Sequence, residues 1–380
     1  MSYLLPNYGR QSIEFTRGLG SYVWDTEGKK YLDFTSGIGV QNLGHRPPLI
    51  EAALKRQLET LWHTPNLYLN SKQEKVGKLL GDGYDYLAYF CNSGAEANEA
   101  ALKLARKATG REKIISFKDS FHGRTFGAMT ATGQESIQAG FGSLVPHFSY
   151  LTYNYLPDLE QLDETVAAVI LELVQGEGGV LPAEKVWIKA LSAICHEKGI
   201  LVIVDEVQTG MGRTGTFYAF EQYPLLPDIV TLAKGLGNCV PVGAMLSKKQ
   251  YASSFGPGSH GSTFGGNLLG MTAAEKVIEG LQEEGFLEDV QNKSAKCFEQ
   301  LEALKTLEIV KEVRGKGLMI GIQVPQHKVQ GIMTACLEKN LLVLRAGKDV
   351  IRLLPPLTIT TEELNTGITI IKDVLEAQDD

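Results

Sequence analysis

The chain lacks nearly every mark of a metalloprotein, a nucleotide-binding protein or a secreted protein. Its five cysteines (Cys91, Cys195, Cys239, Cys297 and Cys336) are odd in number, widely spaced and never form a CxxC pair. A disulfide framework is therefore excluded, and free thiols in a reducing cytoplasm are expected. Seven histidines show no HExxH or other ligand spacing, so no metal site is expected. There is no P-loop and no GxSxG elbow. No apolar run approaches the roughly 20 residues that cross a bilayer. The opening MSYLLPNYGRQSIEF has no long apolar core behind a basic start, so no signal peptide is expected. Positive charge is not in excess: the net charge of −7 argues against a broad nucleic-acid-binding face. Internal repeats and low-complexity linkers are also missing.

What remains is an ordinary soluble composition, 43% hydrophobic and 21% charged, spread over 380 residues. That length allows two domains and a large core. Strand-like runs recur at Tyr86 to Cys91, Lys113 to Phe117, Ala167 to Val174, Leu201 to Asp205, Asp228 to Ala233 and Val242 to Leu246. Several are continuously apolar, which suits strands covered on both faces. Helical stretches between them predict an α/β sheet with parallel crossovers. After Asn267 the pattern changes to a long helical stretch and then short strands, the signature of a smaller α+β unit. The segment YVWDTEGKKYLDF predicts a hairpin around Thr26-Glu27-Gly28.

Two of the apolar runs end in a charge. LVIVD ends in Asp205, and DIVTLA is followed directly by Lys234. A charge at the end of a buried strand is costly unless something at that end uses it. An amine and an acid at the carboxyl edge of one sheet suggest Schiff-base chemistry, and pyridoxal phosphate in particular.

Other segments carry two readings each. CNSGAEANEAALKLARK opens a helix after a strand, and Ser93 with Glu96 fits a capping box. The same small residues also leave backbone N–H groups free for a phosphate. FHGRT is either a loop with a surface arginine, or a flat-ring contact (Phe121) beside a carboxylate-binding Arg124. GMGRTG matches GxGxxG, but no clear helix follows it, so a glycine-rich turn is expected. In SHGSTFGGN, Ser262 and Thr263 are loop hydroxyls that suit a phosphate. Arg352 lies inside the apolar run VIRLLPP and needs a partner, for which Glu177 in QGEGG is a candidate.

Taken together, these segments resemble the class III, ornithine-type, pyridoxal-phosphate aminotransferases. The motifs GHRPP, LWHT, CNSGAEANEAALKLARK, FHGRT, VQGEGG, DEVQTGMGRTG, AKGLG and GSTFGGN match in order, from Tyr22 to the Arg352 segment. The resemblance implies the type I fold of pyridoxal-phosphate transferases: a large domain with a mostly parallel sheet plus a smaller α+β domain. Residues 1–50 would join the small domain, 51–270 would form the cofactor domain and 271–380 the small domain. It also implies a cytoplasmic homodimer with shared active sites. Lys234 would anchor pyridoxal 5'-phosphate, and Asp205 would pair with its ring nitrogen. Ser93, Gly94, Ala95, Phe121, Glu206, Val207, Gln208 and Thr263 would complete the cofactor contacts, Thr263 from the partner subunit. Arg124, Ser262, Arg352 and Ile38 would meet substrate, and Glu177 would act with Arg352.

Ile38 stands where enzymes acting on free ornithine tend to carry Tyr, and so favours an acylated donor. The expected reaction is N2-acetylornithine plus 2-oxoglutarate to N-acetylglutamate 5-semialdehyde plus glutamate, in arginine synthesis. Alternatives are succinylornithine, 4-aminobutyrate or ornithine as donor, a non-catalytic cofactor-binding protein, or a mutase or racemase. Two departures lie near the site: Glu172-Leu173 and Asn267-Leu268 stand where the family usually reads Glu-Pro and Asn-Pro.

Overall fold

The computed structural model describes residues 3–379. Positions 1, 2 and 380 of the expected end segments lie outside the described residues. An antiparallel meander opens the fold, with strands β1 (Phe15–Leu19), β2 (Tyr22–Asp25) and β3 (Lys30–Asp33). Asp25 sets the β2–β3 turn, because its Oδ1 accepts the N–H groups of Glu27 at 3.0 Å and Lys29 at 2.9 Å. Gly28 completes that turn at φ +80°, in the left-handed region where only glycine is free of strain.

The central sheet contains β4 (Tyr86–Cys91), β5 (Lys113–Phe117), β6 (Phe148–Leu151) and β7 (Val166–Leu171). A two-residue ribbon, β8 (Val174–Gln175) with β9 (Leu181–Pro182), follows. The sheet is completed by β10 (Leu201–Asp205), β11 (Ile229–Leu232) and β12 (Gly243–Lys248). Its order is β4-β12-β11-β10-β7-β5-β6, and only β12 runs against the rest. Every residue of β7, β10 and β11 is buried, as strands covered on both faces require. The edge strand β6 was not anticipated. FSYL is short, and its side chains are only partly buried until Leu151.

The C-terminal unit carries β13 (Glu312–Lys316), β14 (Met319–Gln323), β15 (Leu341–Leu342), β16 (Leu344–Ala346) and β17 (Val350–Leu353). Four of these form an antiparallel sheet, β13-β14-β17-β16. The fifth, β15, pairs in parallel with β3 and so joins the opening meander to the C-terminal unit. The expected boundary after residue 270 falls inside one continuous helix, Leu268–Leu281. The Asn267 side chain caps that helix through the Gly270 N–H at 2.8 Å.

GMGRTG forms a turn with only a short 3-10 helix, Ala219–Gln222, behind it, and its Arg213 is fully buried. Arg213 Nη1 donates to the carbonyls of Leu318 at 3.0 Å and Pro355 at 2.5 Å, and Nη2 to Asn42 Oδ1 at 2.7 Å. One guanidinium therefore bonds to the N-terminal segment and to two segments of the C-terminal unit. Burial pulls its proton affinity down to a pKa of about 9.

Candidate active site

Parallel strands β10 and β11 deliver Asp205 and Lys234 to the same edge of the sheet. Asp205 is the last residue of β10 and lies in register with Thr231 of β11. Lys234 follows β11 after one residue, Ala233, with φ of +43°. A non-glycine residue in that region is strained, and such strain concentrates at functional sites. The turn fits only because residue 235 is glycine: a Cβ there would lie 2.4 Å from the Asn42 side-chain nitrogen.

A cavity of about 460 Å³ opens at this edge. Ser93, Gly94, Ala95, Phe121, Arg124, Glu177, Asp205, Val207, Gln208 and Lys234 all line it. The sequence motifs that supply them lie up to 141 positions apart. Ser93 caps the helix Gly94–Thr109 through the Glu96 N–H at 3.2 Å. The return bond of the expected capping box goes instead to Asn92, whose N–H reaches Glu96 Oε2 at 2.7 Å. The N–H groups of Gly94 and Ala95 have no partner among the described residues. They are the first donors of a helix, where the axial dipole favours an anion. Gly94 also permits close packing, because a Cβ there would meet Val207 at 2.8 Å.

Asp205 is held by three donors. Its Oδ2 accepts the Asn98 side-chain amide at 2.8 Å and lies 2.8 Å from His122 Nδ1, while Oδ1 accepts the Val207 N–H at 3.0 Å. Thr231 in turn fixes Asn98, donating to its Oδ1 at 2.7 Å. The Lys234 amine makes no hydrogen bond or ion pair among the described residues. Burial draws its pKa down from 10.5 to about 8, with the Arg352 cation acting the same way; Glu177, Asp205 and Glu172 oppose.

Arg352, 2% exposed, reaches the cavity through its partners. Its Nη1 donates to Glu177 Oε1 at 2.6 Å and to Gln208 Oε1 at 3.2 Å. Ser262 lies one hydrogen bond from the cavity, its hydroxyl accepting the Asn92 side-chain amide at 3.1 Å. Thr263 and Ile38 are exposed and do not line the cavity; Ile38 also has a left-handed φ of +67°. Glu206 requires a correction, since its carboxylate points away from the cavity. It accepts the N–H groups of Ala219 at 3.0 Å and Phe220 at 2.9 Å and the Thr209 hydroxyl at 2.9 Å. Successive residues at a strand end face opposite ways, so an inward Asp205 sends Glu206 outward.

The aminotransferase class-III family profile matches residues 4–375. The chain belongs to the class-III aminotransferases. It is 56% identical to the acetylornithine aminotransferase of Streptococcus mutans, over 99% of both chains. Among solved structures it is similar to the ornithine aminotransferase of Toxoplasma gondii, with a TM-score of 0.95 and 31% identity over 99% of this chain and 93% of that one. The N-acetylornithine aminotransferase of Stenotrophomonas maltophilia gives a TM-score of 0.85 and 33% identity, over 98% and 97% of the two chains. This class-III aminotransferase is a pyridoxal-phosphate enzyme that uses a small-molecule amino donor and acceptor. No helix among the described residues is long and apolar enough to cross a membrane.

The cavity suits that cofactor. Two unpartnered helix N–H groups stand ready for a phosphate. An aromatic side chain, a carboxylate with room on Oδ1 and an unpartnered amine complete the wall. Asn98, His122 and Glu172 are among the cavity residues of this class-III aminotransferase that escaped the sequence reading as site residues. A buried asparagine on the apolar face of its helix was the available signal for the first.

The enclosed amine has a consequence for stability. Between pH 8 and 10.5 the unfolded chain binds more protons at Lys234 than the folded one, so cofactor-free protein gains stability as pH rises through that window. Below it the full penalty applies, about 3 kcal/mol. Lys234→Met is therefore expected to stabilise cofactor-free protein at pH 7 by roughly that amount. The gain should fade toward pH 10.5, as measured by urea denaturation at both pH values.

Proposed function

We propose that this aminotransferase moves the terminal amine of N2-acetylornithine to 2-oxoglutarate, forming N-acetylglutamate 5-semialdehyde and glutamate in arginine synthesis. The names of its relatives support that donor. The Arg352–Glu177 pair carries the mechanistic reading. Glutamate reacts at its α-amine and brings a carboxylate beside the reacting carbon, which needs Arg352 free. The acylated diamine brings none there, and a lone buried guanidinium would be costly. Glu177 satisfies Arg352 in the second case. Its side chain is 34% exposed against 2% for Arg352, so it is the partner with room to move.

Within this reading Gly94, Ala95 and Ser93 hold the cofactor phosphate, and Phe121 and Val207 flank the ring. Gln208 lies by the phenolic oxygen, and Asp205 keeps a proton on the ring nitrogen. Arg124 contacts the distal part of the substrate from the cavity wall, and Ser262 and Ile38, which lie outside that wall, would meet only a substrate that extends beyond it. When bound, pyridoxal phosphate supplies a ring that accepts the electrons left as the substrate carbon loses its proton. Lys234 Nζ takes that proton and returns it one carbon away, a task for which its lowered basicity suits it.

A homodimer would place Thr263 on the partner's cofactor. The loop bearing it packs against the segment around Asn66, whose side-chain amide donates to the carbonyls of Ser262 at 3.2 Å and Gly265 at 3.0 Å. Both segments expose large apolar side chains: Trp62, Leu67, Tyr68 and Leu69 on one, Phe264 on the other. An apolar patch of this kind beside the site suits a subunit contact.

Glu177→Ala tests the gate. The acetylornithine half-reaction should slow by about 10- to 100-fold, the worth of one charged hydrogen bond. The glutamate half-reaction should change by less than about threefold, on the scale of an unmoved contact. Equal loss in both would refute the gate. A panel with succinylornithine, 4-aminobutyrate and ornithine as donors tests the substrate; faster turnover with any of them would displace acetylornithine.

A further inference from the structure

Glu172 follows β7 directly and is 6% exposed. Its two oxygens serve two different loops. Oε2 accepts the Phe121 N–H at 3.0 Å, and Oε1 accepts the Gly176 N–H at 3.2 Å. Phe121 is part of the cavity wall, and Gly176 immediately precedes Glu177, which holds Arg352. A central strand thus places one carboxylate between the aromatic wall and the arginine's partner. The backbone of Glu172 is itself fixed, since the Tyr153 hydroxyl donates to its carbonyl at 2.7 Å.

Only a carboxylate suits this position. It accepts at both ends, whereas a glutamine of the same shape would turn an NH2 group toward one of the two amides. The charges of His122 and Asp205 act on Glu172, and that of Glu172 acts on Lys234. Burial pushes the Glu172 carboxyl up to about 7, opposed by His122 and assisted by Asp205.

We infer that Glu172 is a positioning residue: by tying the Phe121 loop to the Gly176-Glu177 turn, it sets how firmly Glu177 holds Arg352, and so the balance between the two amine geometries. The inference rests on the gate reading of Glu177.

The test uses Glu172→Gln and Glu172→Asp in the full-length protein. Hydrogen exchange by mass spectrometry, with and without cofactor, reports on peptides spanning 119–124 and 174–180. In Glu172→Gln these should exchange about five- to tenfold faster while the rest of the chain is unchanged. The ratio of kcat/KM for glutamate to that for acetylornithine should rise at least about fivefold, because a looser Glu177 leaves Arg352 free more often. Glu172→Asp keeps the charge but is one methylene shorter, and should shift the ratio the same way. Wild-type behaviour in Glu172→Asp would make Glu172 an electrostatic rather than a positioning residue and overturn the inference. So would unchanged exchange in both peptides. A ratio moved by Glu177→Ala but not by Glu172→Gln overturns the coupling alone. A ratio moved by neither overturns the gate as well.

Discussion

Replacing Lys234 with alanine should reduce transamination in both directions by at least about 10²- to 10⁴-fold, the usual contribution of a positioned proton carrier. No second lysine lines the cavity among the described residues. The variant should also lose covalent retention of the cofactor, which would then leave on dialysis. The fold should survive. Lys234 makes no hydrogen bond or ion pair among the described residues, and its removal relieves an unfavourable buried charge. Steady-state rates, cofactor absorbance after dialysis and far-UV circular dichroism together check the prediction. Turnover above a tenth of wild type, with the fold intact, would remove Lys234 from the proton path.

Asp205→Asn should lower kcat by about 10- to 10³-fold, the range set by one to three pKa units of charge pairing at the ring nitrogen. The change keeps the shape of the side chain. An asparagine oxygen at the Oδ2 position can still accept from Asn98 and His122. The new NH2 would face the Val207 N–H that now donates to Oδ1, a modest cost beside the loss of charge. Activity within threefold of wild type would refute an electronic role. Recovery at low pH, where the ring nitrogen can protonate without help, would support it.

The central chemistry was legible for a specific reason. Lys234 and Asp205 are charges at the ends of otherwise apolar strands, and the fold brings those two ends together because β10 and β11 are parallel neighbours. Gly94 and Ala95 were legible because their motif joins a strand to a helix. Glu172 was harder, since its partners lie 51 positions upstream and 4 downstream and depend on how two loops meet. Asn98, from a helix, and His122, from a loop, meet at Asp205, so no local pattern reported their meeting. Glu206 was assigned to the site by its proximity in sequence and lost by the alternation of a strand end. The domain limits suffered similarly. The change in pattern at Asn267 marks the start of a helix that packs against Pro48–Leu58 and Ser71–Gly81, not a break between units.

Arg213 gives the fold a property that matters for its inheritance. Its acceptors come from Asn42, Leu318 and Pro355, so the piece of chain carrying the arginine depends on residues about 170 positions upstream and about 100 to 140 downstream. A chimera built by exchanging the C-terminal unit between relatives would succeed only where the incoming segment presents the same two carbonyls. Recombination within this lineage is therefore constrained at a residue outside the cavity wall, and the two units are expected to evolve as one.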